Sequence, residues 1–599
     1  MPFEASRRLT GANLFFASCG AELETAGVVP DAALLVGWRT RVERARAHLG
    51  WRTPGVVARA HVGGASLALA APVDALFTAT EVNEWALCAT LVAQDGVRWG
   101  ALEAALVAAA LEDAAAPDLE VAPVIAESAA LRRFARLAAR EARPELRALL
   151  AEATARGLPY TVDDELLTLG SGSGGRGFAL AVLPEVQAVP WEELHEVPTA
   201  LVTGSNGKTT TVRLLAACAG ARGWLPAYCC TDGVFLGAEM LENGDYSGPA
   251  GARRVLRERR AGCAIVETAR GGILRRGIAV SQAQVALVTN VSADHFGEYG
   301  IDDLGALADV KLSVAGVLGP EGLLVVNADD PQLLASVPQL AQRFGRAPRL
   351  AWFSLDAEVA ALHAQQTAAA ASCGVRGGRL TLRHAGAEYD LGAIGAMPLS
   401  VEGSATYNVA NLAGAAIAAA ALGVPPADIT AVFAAFGANA ADNFGRMMRF
   451  ERDGVRILID YAHNPEGLRG LLRVAEHLRA GRGRLAILLG HAGNRQDAEI
   501  EALALAAAEF HPALIVIKEN EAHLRGRTPG EIPRVIHTAL RRAGLPEVSL
   551  PMRTSELEAV RCALEWARPG DVLALPVHSA AARGAVLALL AAAPARTAP

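Results

Sequence analysis

Leu201-Val202-Thr203-Gly204-Ser205-Asn206-Gly207-Lys208-Thr209-Thr210-Thr211 runs from aliphatic residues through two glycines into a lysine and three threonines. The aliphatic part reads as the end of a strand over 199–203, and 212–221 reads as a helix. A glycine-bearing turn between a parallel strand and a helix is a ready phosphate loop. Backbone N–H groups at the helix start, the positive end of the helix dipole and Lys208 surround a polyphosphate, and Thr209 offers its hydroxyl to Mg²⁺. Gly204, Asn206, Gly207 and Thr210 complete the nucleotide-binding stretch. The loop departs from the strict GxxxxGK[ST] pattern, because Val202 holds the first glycine position.

Outward from this loop, β-branched and aliphatic runs at 264–268, 285–290 and 323–327 alternate with helical patterns. That alternation predicts a mostly parallel sheet covered on both faces. A second alternating series begins near 446, with strands expected at 455–460, 485–490, 514–518 and 572–576 and a helix at 466–479. Between the two series, 374–389 reads as hairpin-like and 407–422 as an alanine-rich helix. Upstream, 132–156 predicts one long amphipathic helix, and the glycine-serine stretch 170–177 reads as a linker or turn rather than a phosphate cradle. The expected division is an N-terminal domain over 1–195, a nucleotide-binding central domain over 196–443 and a C-terminal domain over 444–599.

Composition narrows the class. A chain of 599 residues exceeds one ordinary core and suggests three or four domains. Apolar residues make up 52% and charged ones 20%, which argues for buried globular material rather than disorder. The longest apolar run, 412–424, ends at Pro425 and falls short of the roughly 18–20 residues a membrane span needs. The first residues lack a basic region followed by an apolar core, so no secretory leader is expected. None of the eight cysteines forms a CxxC pair, and Cys229 and Cys230 read as small buried strand residues in a reducing compartment. A net charge of −7 gives no electrostatic reason for nucleic acid. These features point to a cytoplasmic protein with small or acidic-polymer substrates, no nucleic acid partner and no membrane.

Two further clusters narrow the chemistry. Glu267 opens Glu267-Thr268-Ala269-Arg270-Gly271-Gly272 at the end of one expected strand, and Asp294-His295 follows another. Both strands end at the carboxyl edge of a parallel sheet, where open α/β folds bind ligands. A carboxylate and an imidazole there suit a Mg²⁺ bridging a phosphate and a substrate carboxylate. Lys311 lies sixteen positions after His295, and on periodicity alone it reads as an exposed helix lysine.

Taken together these residues resemble the Mur ligase family of three-domain amide ligases. Thr203–Thr210 fits the family loop T-G-[ST]-N-G-K-T-[ST]. The resemblance implies a phosphate-loop parallel-sheet central domain, a Rossmann-like α/β C-terminal domain and an α/β N-terminal domain. It implies that Glu267 and His295 bind magnesium and that Lys311 is carbamylated, becoming an anion that holds a second metal. Tyr407-Asn408-Val409-Ala410-Asn411 resembles the family's H-N-x-x-N, with tyrosine in place of histidine; Asn408 and Asn411 would contact the adenine. Gly445-Arg446 resembles the arginine that reaches the γ-phosphate. Asp460-Tyr461-Ala462-His463-Asn464-Pro465 resembles D-Y-A-H-[NT]-P, with Asp460 near the ribose and His463 beside the nucleotide.

Within the family, Glu267–Arg275, Gly493-Asn494-Arg495-Gln496-Asp497 and Leu524-Arg525-Gly526-Arg527 are most similar to segments of the cyanophycin synthetases. On that likeness Arg270, Asn464, Arg495, Arg525 and Arg527 face substrate. The opening Leu9-Thr10-Gly11-Ala12-Asn13 and the stretch 155–170 also resemble that branch. However, only 20 residues separate Phe178 from the strand at Thr199, too few for the ATP-grasp module that the branch carries there.

The resemblance implies an ADP-forming ligase that uses ATP and Mg²⁺ to phosphorylate a carboxylate of a small molecule, peptide or polymer and couples it to an amino acid or other amine. Two alternatives accompany it. One is a folylpolyglutamate-synthetase-like ligase with a non-peptide acceptor; the other is a non-catalytic ATP-binding partner of a separate ATP-grasp enzyme. A homo-oligomer is left open.

Overall fold

The phosphate-loop strand, Thr199–Thr203, lies in the middle of an eleven-stranded sheet. On one side its neighbour is Cys263–Glu267, followed by Pro226–Cys230; on the other come Ala283–Val288, Leu318–Asn327, Arg349–Ser354 and Ser372–Arg376. These seven strands are parallel, and antiparallel hairpin strands extend both edges. The structure is a computed structural model and describes residues 2–28, 30–102, 127–293, 296–363, 371–519 and 524–591.

Buried on both faces, the central strands read as continuous aliphatic runs rather than alternating ones. The helix Lys208–Ala221 and the alanine-rich helix Thr406–Leu422 cover one face, and their small side chains let backbone and sheet approach closely. The expected hairpin at 374–389 is one strand longer: Ser372–Arg376, Arg379–His384 and Ala387–Ala393 form a meander.

The C-terminal sheet has six strands, of which Val455–Asp460, Val572–Pro576, Leu485–Leu489 and Leu514–Lys518 lie parallel in that spatial order. The N-terminal sheet is antiparallel, Phe3–Leu9, Gly20–Thr25, Gly64–Ala70 and Val56–His61, with Ala32–His48 and Leu76–Gln94 packed on it around Trp38 and Trp85.

The single long helix expected over 132–156 is two helices, Glu127–Glu141 and Pro144–Ala155. Pro144 is the cause. A proline inside a helix removes a backbone donor and clashes with the preceding turn, so it starts a new helix instead. The freed N–H of Arg143 donates to Asp74 Oδ2 at 2.7 Å, which fixes the corner.

The glycine-serine stretch is a packed turn. Ser171 N and Ser173 N donate to the carbonyls of His195 and Ala261, so these amides are spent on protein and not available to a phosphate. Cys229 and Cys230 are buried in their strand as expected, and burial pushes the Cys230 thiol up to about 11.

The N-terminal sheet docks against the central one near the carboxyl ends of its strands. Arg59 Nη1 donates to Gly300 O at 2.8 Å, Val62 N to Asp302 Oδ2 at 3.1 Å, and Thr10 N to Arg276 O at 2.8 Å. Among the described residues, no helix is long and apolar enough to cross a membrane.

Candidate active site

Val202 explains the departure from the strict loop pattern. It is fully buried and pairs across the sheet with Leu287, so the strand continues through Thr203 and the turn begins at Gly204. Gly204 and Gly207 have φ of +146° and +86°. A Cβ on Gly204 would stand 1.8 Å from Thr289 Oγ1, and one on Gly207 would stand 2.2 Å from Asn411 Oδ1. Only glycine allows both the left-handed backbone and this closeness.

The neighbouring strand ends pin the loop. Ser205 N and Asn206 N donate to Asn290 O and Oδ1, each at 2.9 Å, and Thr289 Oγ1 donates to Asn206 O at 2.6 Å. Lys208 folds back onto Gly204 O and Ser205 O at 3.0 and 3.1 Å.

Glu267 ends its strand directly opposite Val202, which brings its carboxylate to the phosphate loop. Thr209 Oγ1 donates to Glu267 Oε2 at 2.8 Å and lies 3.1 Å from Thr231 Oγ1. Glu267 is 1% exposed, and its Oε1 is buried without a hydrogen-bond partner. Burial pushes the carboxyl above its ordinary range, partly offset by the charge of Lys208. An unpaired, acceptor-only oxygen beside two hydroxyls is a hard donor set of the kind that binds Mg²⁺ with phosphate and water completing the shell. These residues therefore fit the metal. His295 and Asp294 lie outside the described residues.

Lys311 departs from the exposed lysine that periodicity favours. It sits in the helix Leu304–Leu312 and is 3% exposed. It lines a cavity of about 1410 Å³ together with Lys208, Gly204, Glu267 and Arg270. The cavity extends to Arg7, Glu24 and His61 of the N-terminal sheet and to His463, Arg495, Arg525 and Arg583 of the C-terminal region. Cations from separate elements thus face one space, which suits phosphates and carboxylates.

The C-terminal residues reach the loop directly. Asn464 Nδ2 donates to Asn206 Oδ1 at 2.9 Å while its Oδ1 caps the helix Pro465–Arg479. Arg446 Nη2 donates to Thr231 Oγ1 at 3.0 Å, and its guanidinium stacks on Tyr461 at 4.2 Å. Asn443 Nδ2 donates to Thr210 Oγ1 at 3.2 Å.

Asn408 and Asn411 are buried and joined, Asn411 Nδ2 donating to Asn408 Oδ1 at 3.2 Å. Tyr407, at the histidine position of the likeness, packs against Gly470. Asp460 accepts from Met447 N at 2.7 Å and Ala462 N at 2.8 Å, so it shapes the turn carrying Tyr461 and His463.

Of the five arginines and asparagines expected to face substrate, Arg270, Arg495 and Arg525 line the cavity. Arg270 pairs with Glu298 at 3.1 Å, and Arg525 donates to Asn494 at 3.1 Å. Arg527 instead bridges Glu531 and Asp497, each at 2.7 Å, and donates to Arg495 O at 2.7 Å. Its fork is satisfied by protein and holds the Arg495 loop in place.

Sequence reasoning missed Thr231, Asp232, Arg213, Arg583 and the N-terminal trio Arg7, Glu24 and His61, and it gave Tyr461 no role beyond its place in the Asp460–Pro465 motif. A signal existed for Thr231 and Asp232, which follow the strand Pro226–Cys230 at the same carboxyl edge as Glu267.

Residues 202–419 match the Mur ligase middle domain, and 445–575 match the Mur ligase glutamate ligase domain. The chain belongs to the Mur ligase family, whose members it matches are ATP-dependent, ADP-forming ligases.

A cyanophycin synthetase of Crocosphaera subtropica is 34% identical over 58% of this chain and 38% of its own length. A UDP-N-acetylmuramoyl-L-alanyl-D-glutamate–2,6-diaminopimelate ligase of Chlorobaculum tepidum is 27% identical over 62% of this chain and 70% of its own. A Mycobacterium tuberculosis folylpolyglutamate synthase solved with ADP is 17% identical, with a TM-score of 0.47 over 66% of this chain and 91% of that one. The chain spans about two fifths of the length of the curated cyanophycin synthetases it matches.

Proposed function

We propose that the chain phosphorylates a substrate carboxylate with ATP and couples the acyl-phosphate to the amine of an amino acid, releasing ADP and phosphate. The observation that carries this reading is the convergence of Lys208, the unpaired Glu267 oxygen, Lys311 and Arg495 on one cavity, from elements far apart in sequence. A carboxylate is a poor electrophile because its leaving group would be oxide; an acyl-phosphate loses phosphate instead.

Bound Mg²⁺ would supply a Lewis acid that neutralises charge on the transferring group. Thr209 and Glu267 would hold the metal, with His295 and a carbamylated Lys311 as further ligands on the family resemblance. Lys208 and Arg446 orient the terminal phosphate and stabilise its charge. Arg270, Arg495 and Arg525 face the acceptor and the incoming amino acid, whose carboxylates a guanidinium binds in fork geometry. Closure of the phosphate loop and the Arg446 region around bound nucleotide would exclude water that hydrolyses the intermediate. The likeness to cyanophycin synthetases supports a peptide or polymer acceptor over a compact one.

The test is ADP and phosphate release in the presence of MgATP, an amino-acid panel and candidate acceptors such as β-Asp-Arg-type peptides, glutamate and folate. Release is expected only when an amine and a carboxylate acceptor are present together, and Lys311→Ala is expected to abolish it. Release independent of either substrate removes the ligase reading. Normal turnover in Lys311→Ala removes the carbamate.

A further inference from the structure

Asp232 is the meeting point of three arginines. Its Oδ2 accepts from Arg213 Nη2 at 2.9 Å and lies 3.8 Å from Arg446 Nη2; its Oδ1 pairs with Arg583 Nη2 at 2.5 Å. The arginines come from the helix that follows the phosphate loop, from the loop at 444–446 and from the helix Ala580–Ala591. All four side chains are at most 12% exposed.

Arg446 also feels the buried carboxylates of Glu267 and Asp460, whereas Arg213 and Arg583 share Asp232 as their ion-pair partner, which leaves a positive charge in excess in that group. Burying charge without a partner is costly, so such an arrangement is built for a further anion. Asp232 and Arg583 line the same cavity as Lys208, which places the surplus beside the phosphate loop.

Arg583 is built in with care. Nη1 donates to Val577 O at 3.4 Å and His578 O at 3.1 Å, which fixes the fork at the end of the strand Val572–Pro576. Its Nε is buried and unpartnered. The ring of Tyr461 has the Arg446 guanidinium 4.2 Å from its centroid and that of Arg583 at 5.7 Å. Gly445 makes room: its φ is +73°, and a Cβ there would stand 2.9 Å from Arg583 Cδ and Nε. The loop that presents Arg446 is shaped around Arg583.

We propose that Arg583 is a second arginine for the terminal phosphate of the nucleotide, alongside Arg446, and that Asp232 is the positioning residue that aims both. This rests on the nucleotide-site reading above and extends it to a residue outside the motifs that define the likeness. The simpler alternative is that Arg583–Asp232 only ties the C-terminal helix to the central sheet.

The two differ in which ligand they affect. In the full chain with Mg²⁺, the affinities for ADP and for a non-hydrolysable β,γ-methylene ATP analogue are measured by calorimetry. Arg583→Gln is expected to weaken analogue binding about tenfold and to leave ADP within about twofold, the effect of losing one hydrogen bond to a charged group. Asp232→Asn is expected to show the same selectivity at about threefold. Arg583→Lys, which keeps the charge without the fork, is expected to restore part of the loss. It also carries the test, at about threefold selective loss, if thermal melting shows that the glutamine variant does not fold. Equal loss of both ligands, or no loss of either, overturns the proposal and leaves the nucleotide site standing. A wild-type chain that binds neither ligand overturns the nucleotide reading beneath it.

Discussion

Lys208→Ala is expected to lower amine- and acceptor-dependent ADP release by roughly a hundred- to a thousandfold, the cost of removing one preorganised group from a developing charge. Charge on the transferring phosphoryl group has no other lysine in the loop to meet it. The fold is expected to survive, because Lys208 Nζ bonds only carbonyls of its own loop, Gly204 O and Ser205 O. Losing those bonds costs on the order of 1 kcal/mol, a shift in Tm of about 2–4 °C for a domain of this size. Steady-state ADP release and a melting curve on the same preparation separate the two effects. An active alanine variant with an unchanged melt would mean that phosphate is held elsewhere.

Glu267→Gln is expected to split stability from function. The carboxylate is buried, one oxygen bonded to Thr209 and the other unpaired, and burial pushes it above the ordinary carboxyl range. A raised carboxyl pKa means that the folded state holds its proton more tightly than the unfolded state. The favourable contribution is therefore complete below the unfolded value near 4 and is lost as pH rises through the folded one. Above that point the ionised side chain is a liability that a neutral amide lessens, while still accepting from Thr209. The glutamine variant is expected to be more stable than wild type at pH 8 by about 1–3 kcal/mol, with the gain shrinking toward pH 4. It is also expected to lose the melting shift that Mg²⁺ and nucleotide give the wild type. Melting curves at both pH values, with and without MgADP, check this; a variant less stable at pH 8 without ligand would refute the unpaired-carboxylate account.

The parallel sheet and the phosphate loop were legible because their signals are local. An aliphatic run, two glycines and Lys208 announce strand, turn and helix within a dozen residues, and Glu267 closes the next strand in the same way. Residues whose role depends on packing between elements were not. Lys311 reads as a solvated helix lysine and is buried, because the helix Leu304–Leu312 turns that face toward the cavity rather than to water.

Arg213 and Arg583 look like ordinary helix charges, and nothing in their neighbourhoods announces that Asp232, up to 351 positions away, collects both. Arg7, Glu24 and His61 reach the cavity only because the N-terminal sheet docks on Gly300 and Asp302. The helix break at Pro144 was legible and overlooked: the amphipathic period continues across it while the backbone cannot.

The central claim is that a carboxylate is activated as an acyl-phosphate at the Thr203–Thr210 loop. It is tested most directly by labelling both carboxylate oxygens of a working acceptor with ¹⁸O and analysing the phosphate released on coupling. Transfer of one labelled oxygen to each phosphate is the predicted result, since that oxygen bridges carbon and phosphorus in the intermediate. Phosphate that carries no label while the amide forms would contradict it.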